Sequence, residues 1–287
     1  WRIDTYIYND MPFMNRCNKA LLDEYPKLSS FGESMVYGVA NQAYFTENNM
    51  DIPFKSNLQG AVDFQTLNSG IVPALNEKFG WTDGVNKLYN TLSLDFLYKD
   101  ATRNVIFLDN HDMSRSFSVF GESIPKQKMA MAWLMTCRGI PQMYYGTEVL
   151  MKGISNPDGW VRLDLPGGWQ GDVKSAFTEQ GLTVEEKDML HYTQLLGKYR
   201  QSSSAITKGK LMQYLPDDGL YVYFRYSNDQ TIMCVMNTSA ENKEVNFSNF
   251  WERTAEYKGG KDIIGGSNVS SKFNVPAQTF KLIELTK

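Results

Sequence analysis

Histidine is scarce in this sequence. Only His111 and His191 occur among 287 residues, so a hydrolase built on a polyhistidine metal centre is poorly supported. Cysteine is almost as rare. Cys17, Cys137 and Cys234 are odd in number and widely spaced, which excludes a disulfide framework and a Cys-x-x-Cys metal pair and leaves the compartment open. No apolar run reaches the roughly 18 residues of a membrane-spanning helix, so membrane insertion is not expected. An excess of one charge is also missing: 29 Lys and Arg face 32 Asp and Glu. That balance offers no basic face for nucleic acid and no polybasic segment for a membrane surface. The N-terminus shows no charged-then-apolar leader and opens on Trp1-Arg2-Ile3-Asp4 rather than Met, which predicts a mature or trimmed piece of a longer protein.

The length suffices for two domains or for one large domain with an appendage. Aromatic residues make up 13% of the chain, with 16 Tyr and 6 Trp; they suit stacking against sugar rings and suit an ordinary core equally well. The most informative stretch is Val105-Ile-Phe-Leu-Asp-Asn-His-Asp-Met-Ser-Arg115. Its four leading apolar residues read as a buried parallel strand, and the polar cluster after them as a site at the strand's C-terminal end. In barrels and open α/β sheets that end carries the chemistry. Asp109, Asn110, His111, Asp112 and Arg115 are therefore candidates, although Asn110 or Asp112 would serve equally as a helix N-cap.

Along the chain, Arg2-Ile3-Asp4 reads as a strand ending in a carboxylate, followed by a helix over Pro12–Tyr25. Lys27–Phe31 leads to a second carboxylate, Glu33, which a helix first turn would also explain. Residues 41–58 predict a long loop over a site. Gly60–Thr66 reads as a strand, 85–99 as a helix, 125–137 as a helix with Met129, Ala132, Trp133 and Thr136 inward, and 139–148 as a strand with its loop. This alternation predicts βαβ units and a parallel sheet. Residues 149–181 are too irregular for sheet or helix and flank the expected site. Thr183-Val-Glu-Glu186 is a capping box opening a helix to about Arg200, where His191 reads as an ordinary helix residue. From residue 205 short alternating segments separated by turn dipeptides predict an all-β module.

Three strand ends then bring Asp4, Glu33 and Asp112 to one rim. Convergent carboxylates serve a metal or the two-carboxylate machinery of glycoside hydrolysis, and the shortage of histidine favours the second. Arg2, two residues before Asp4 and on the same strand face, is placed to keep that carboxylate ionised or simply to form an ion pair.

These residues carry a likeness. Arg2-Ile-Asp-Thr5, Phe31-Gly-Glu33, Phe107-Leu-Asp-Asn-His-Asp112 and Gly139-Ile-Pro-Gln-Met-Tyr-Tyr-Gly-Thr-Glu148 resemble, in order, four motifs of the α-amylase family of glycoside hydrolases. Within it the chain looks most like the neopullulanase, cyclomaltodextrinase and starch-utilisation amylase branch. The resemblance implies an α/β fold: the C-terminal part of a (β/α)8 TIM barrel over 1–204, from the end of strand 4 to helix 8, then an antiparallel β-sandwich domain over 205–287. It implies a retaining hydrolase of α-1,4-glucans such as starch, maltooligosaccharides, pullulan or cyclodextrins. Asp4 would be the nucleophile, Glu33 the acid/base titrating above Asp4, and Asp112 the third carboxylate. Arg2, His111, Asn110 and Arg115 would contact substrate, and Trp160, Trp169 and Tyr44 would offer stacking platforms.

No cofactor is implied for the chemistry and no catalytic metal, although a structural calcium in a longer parent fits the family. Barrel strands one to three, most of the fourth, and an Asp-x-x-x-x-Asn-His motif have no counterpart here. An inactive fragment of a longer enzyme is the expectation. An α-glucan glycosyltransferase of the same family and a non-catalytic glucan-binding protein are the alternatives; the retained trio of carboxylates argues against the latter. The likeness to starch-utilisation amylases points to a periplasmic enzyme, that to cyclomaltodextrinases to a cytoplasmic one.

Overall fold

A computed structural model describes residues 1–287. Its N-terminal part carries five short parallel strands: β1 (Arg2–Ile3), β2 (Phe31–Gly32), β3 (Gly60–Ala61), β4 (Val105–Phe107) and β5 (Ile140–Gln142). β1, β2 and β3 are neighbours in that order, β4 pairs with β5, and a parallel bridge from Val62 to Val105 joins the two groups. Neighbours in space are thus neighbours in sequence, as in an α/β barrel wall. β1 and β5 do not pair with each other, so the wall is an arc rather than a closed barrel.

Local chemistry sets the helices around it. Asp10 accepts from the Phe13 amide at 2.8 Å and opens the helix Met11–Glu24. Thr183 and Glu186 close a reciprocal capping box on the helix Val184–Ser202, as the sequence predicts. The helix Ile124–Thr136 starts with Pro125 in its first turn and is buried on almost every side from Met129 onward, because it lies between the arc and the C-terminal sheet.

Three expectations change. The segment 41–58 is not all loop, since a helix runs over Val39–Tyr44. The Gly60–Thr66 strand stops at Ala61. There the Asp63 carboxylate accepts from the Thr66 amide at 3.1 Å and turns the chain into a π-helical segment, Thr66–Ile71, continued by the helix Val72–Asn76. The helix from Val85 ends at Ser93, before a 3-10 turn over Asp95–Leu97.

The C-terminal part is antiparallel. β6 (Lys210–Gln213), β7 (Leu220–Tyr226), β8 (Thr231–Asn237), β10 (Gly259–Asp262), β11 (Asn268–Ser270) and β13 (Thr279–Thr286) form one sheet in the order β11-β10-β13-β8-β7-β6; β9 (Lys243–Asn246) and β12 (Lys272–Val275) form a second ribbon. Alternation gives the large sheet two apolar faces. Tyr221, Tyr223, Ile232, Cys234, Met236, Phe280 and Leu282 join the core that holds Ile106, Phe107 and Trp133. Val222, Phe224, Met233, Val235, Ile283 and Leu285 pack with Val245 and Val275 of the ribbon.

Candidate active site

The rim at the C-terminal ends of the strands is built first by backbone. The Glu33 amide donates to the Ile3 carbonyl at 2.8 Å, the Tyr6 amide to the Glu33 carbonyl at 3.0 Å, and the Val62 amide to the Gly32 carbonyl at 2.9 Å. Gly32 has no room for a side chain: a Cβ there would lie 2.6 Å from the Tyr6 ring. That close approach lets β2 deliver Glu33 beside β1.

Arg2 then ties the two carboxylates together. Its Nη1 lies 2.7 Å from Asp4 Oδ1 and its Nη2 lies 2.8 Å from Glu33 Oε1. The other Glu33 oxygen accepts from the Thr5 amide at 3.0 Å, and Thr5 adopts a left-handed φ of 46° to present it, a conformation found at sites where geometry outweighs backbone strain. The Glu33 side chain is 15% exposed and that of Asp4 69%. One carboxylate is sheltered, the other open to solvent.

Asp112 follows β4 on the same rim. Its Oδ2 lies 3.2 Å from His111 Nε2 and its Oδ1 accepts from Arg162 Nη2 at 2.8 Å, while Arg162 Nε donates to the His111 carbonyl at 2.7 Å. Asn110 is nearly buried and accepts the Asp112 amide at 2.9 Å. That bond holds the turn that aims Asp112.

Arg115 is displaced from expectation. It is fully buried, with its guanidinium 4.4 Å from the Tyr144 ring centroid and donating to the Tyr145 carbonyl, so its surface meets protein and not a ligand. Nearby Asp109 accepts from Thr147 Oγ1 at 2.7 Å and from the Ser116 amide at 2.9 Å. Burial pushes the Asp109 carboxyl up, only partly offset by Arg115. These groups lock β4 to the loop after β5.

Sequence reasoning missed two features. Arg162 sits in the irregular segment 149–181, where no periodicity marks a functional position. The second is a buried network: Arg138 Nη1 donates to Asp63 at 2.6 Å while its Nε and Nη2 grip Asp95 at 2.7 and 2.5 Å, and Gln42 donates to Asp63 at 3.1 Å. Burial works against the Arg138 charge, but Asp95 and Asp63 overcome it and hold its pKa above the usual value. The three partners lie far apart in sequence, with no local signal.

Residues 4–209 match the α-amylase catalytic domain and residues 211–284 the cyclomaltodextrinase C-terminal domain. The chain belongs to the α-amylase family. Alpha-amylase 3 of Dictyoglomus thermophilum is 32% identical over 187 residues, covering 56% of this chain and 37% of that enzyme. A cyclomaltodextrin glucanotransferase of Geobacillus stearothermophilus is 28% identical over 246 residues, covering 82% of this chain and 30% of that enzyme. The chain therefore spans roughly a third of the length of these relatives. Among solved structures, the α-amylase of Geobacillus thermoleovorans complexed with acarbose superposes with a TM-score of 0.79 at 20% identity, covering all of this chain and 59% of that one.

Of the other expected features, Trp160 and Trp169 are exposed, and Tyr44 packs against Phe45 and Phe54. His191 lies on the helix Val184–Ser202 and meets Glu179 at 2.8 Å. No group of three or more His, Cys, Asp or Glu side chains gathers where it could hold a metal ion. No helix is long and apolar enough to cross a membrane.

Proposed function

We propose that this chain supplies the catalytic carboxylates of a retaining α-glucan hydrolase. The observation that carries the reading is the Arg2 guanidinium shared between Asp4 and Glu33. That guanidinium seats both carboxylates side by side, and Asp4, the one open to solvent, attacks the anomeric carbon. The carbon–oxygen bond to the leaving sugar breaks as the Glu33 proton passes to the departing oxygen, leaving a glycosyl ester on Asp4. Glu33 then takes a proton from water, whose oxygen attacks the same carbon and restores Asp4. Two inversions leave the configuration unchanged, a course that needs the two carboxyl groups at about 5–5.5 Å. Asp112, with His111 beside it, takes the sugar hydroxyls.

Starch-type α-1,4-glucans are the substrate class this reading favours. Structural relatives bear on it, since AmyP has been solved in complex with maltose and with maltotriose. Because β1 and β5 each leave one edge unpaired, turnover is expected from a polypeptide that also supplies the strands completing the wall, and not from residues 1–287 alone. The setting proposed for that enzyme is the periplasm. The test follows maltoheptaose by proton NMR: an initial α-anomer from the longer polypeptide supports retention, an initial β-anomer refutes it, and turnover by residues 1–287 alone overturns the requirement for the missing strands.

A second reading, glycosyl transfer, is favoured by the match to cyclomaltodextrin glucanotransferases. The glycosyl ester is the same; a sugar hydroxyl takes the place of water. Cyclic or lengthened products from maltoheptaose select transfer, shortened linear ones select hydrolysis.

A further inference from the structure

At the opposite end of the arc, where β5 begins, a cavity of about 220 Å³ opens between the arc and the C-terminal sheet. Arg200, Arg225 and Lys208 line it together with Thr102, and no carboxylate is among the lining residues. Arg200 donates to the Met135 and Gly139 carbonyls at 2.9 and 3.2 Å. Arg225 donates to the Ile206, Gly209 and Thr136 carbonyls at 2.8, 3.0 and 3.5 Å. The Met135, Thr136 and Ile206 carbonyls lie in the last turns of the helices Ile124–Thr136 and Ser204–Thr207, and together with those of Gly139 and Gly209 they satisfy part of each guanidinium. They supply only partial negative charge. Arg225 is 2% exposed, and its buried Nε–H finds no acceptor.

A buried cation without a counter-charge is costly, and a buried donor without an acceptor adds to that cost. A second cation lining the same cavity adds to it. Burial lowers the pKa of both, and the neighbouring Arg225 helps bring Arg200 down to about 10. The volume equals that of about seven waters at roughly 30 Å³ each, room for a small ion with part of its hydration.

We propose that this cavity is an anion site that binds a small oxyanion of the phosphate class, held by Arg200 and Lys208 with the Arg225 guanidinium as a buried positive charge behind them. Planar guanidiniums and an ammonium suit phosphate oxygens. The cavity lies at the N-terminal ends of the strands, away from Asp4 and Glu33, so its occupancy is independent of the glucan chemistry. A free phosphate ion and a sugar phosphate share the recognising group.

Isothermal titration of the protein with sodium phosphate, at ionic strength fixed with sodium chloride, tests the proposal alongside thermal unfolding over the same series. Saturable binding with a rising melting temperature is expected. Lys208→Gln, at an exposed position, should weaken binding about tenfold, the loss of one charge-assisted contact, with melting in phosphate-free buffer unchanged. Arg200→Gln should weaken it further. Glucose 1-phosphate binding as tightly as phosphate assigns the site to sugar phosphates; binding of inorganic phosphate alone assigns it to the free ion. No saturable phosphate effect, or an effect identical in parent and Lys208→Gln, overturns the proposal and leaves the three cations as helix-end caps.

Discussion

Arg162 holds Asp112 across fifty residues of sequence, with Nη2 2.8 Å from Oδ1. The same guanidinium fixes the His111 carbonyl through Nε, so one side chain from the loop after β5 sets both the backbone and the carboxylate at the end of β4. Arg162→Ala should lower kcat/KM of the longer polypeptide on maltoheptaose about fivefold. A charged hydrogen bond is worth about 1.5–3 kcal/mol when sheltered, and both partners here are nearly half exposed, which reduces it to about 1 kcal/mol. Arg162→Lys should recover little, because an ammonium cannot make both contacts in one plane. Unchanged kinetics in both variants would remove Arg162 from the site.

Asp4→Asn and Glu33→Gln should each lower kcat of that polypeptide by at least about a thousandfold, as expected when an essential group is removed. Stability should hold. Asp4 is open to solvent, and a Gln at 33 still accepts from the Thr5 amide. With an α-glucosyl fluoride, whose leaving group needs no proton, azide added to Glu33→Gln should yield a glycosyl azide if Glu33 acts as the acid/base, and its absence in a folded variant would assign that proton to another group.

The Asp63–Arg138–Asp95 network is structural, and its removal reads out in unfolding. Arg138→Met strands one fully and one largely buried carboxylate, a loss of about 3–5 kcal/mol. Urea titration followed by circular dichroism measures it. A shift of under 1 kcal/mol would show that these carboxylates find other partners.

Glu148 supplies a pH signature. Burial raises its carboxyl above the usual range, and its Oε2 is buried without a hydrogen-bond donor. The folded chain then binds this proton more tightly than the unfolded chain, so stability falls as pH rises from the unfolded pKa, about 4.3, through the folded one. Glu148→Gln removes that slope. Its melting temperature relative to the parent should rise between pH 4 and pH 7; a constant difference would place the ionised carboxylate in a compensating environment.

Much of the fold was legible in the sequence because its signals are local. The apolar run Val105–Leu108, the capping box at Thr183 and the turn dipeptides after residue 205 each announce their own geometry within a few residues. β10, β11 and β12 gave no such signal: Gly259-Gly260 and the polar Lys261, Asn268, Lys272 and Asn274 leave little alternation to read. The site was half legible. Asp4, Glu33 and Asp112 close strand-like segments, and their placement on one rim follows from parallel pairing. Arg115 was misplaced because spacing cannot tell a guanidinium facing a ligand from one stacked on Tyr144. Arg162, and the grip of Arg138 on Asp63 and Asp95, arise only once distant segments meet.

Tyr221 and Tyr223 of β7 sit in the same apolar cluster as Trp133 and Phe107, and the Tyr223 hydroxyl meets Thr136. The two halves of the molecule thereby become thermodynamic hostages of one another. Cleaving the polypeptide near Ser204 would bare an oily wound on each side, so heating should melt both regions together. Grafting a foreign tail in place of residues 211–284 should succeed only where the graft brings its own aromatic counterpart to Trp133.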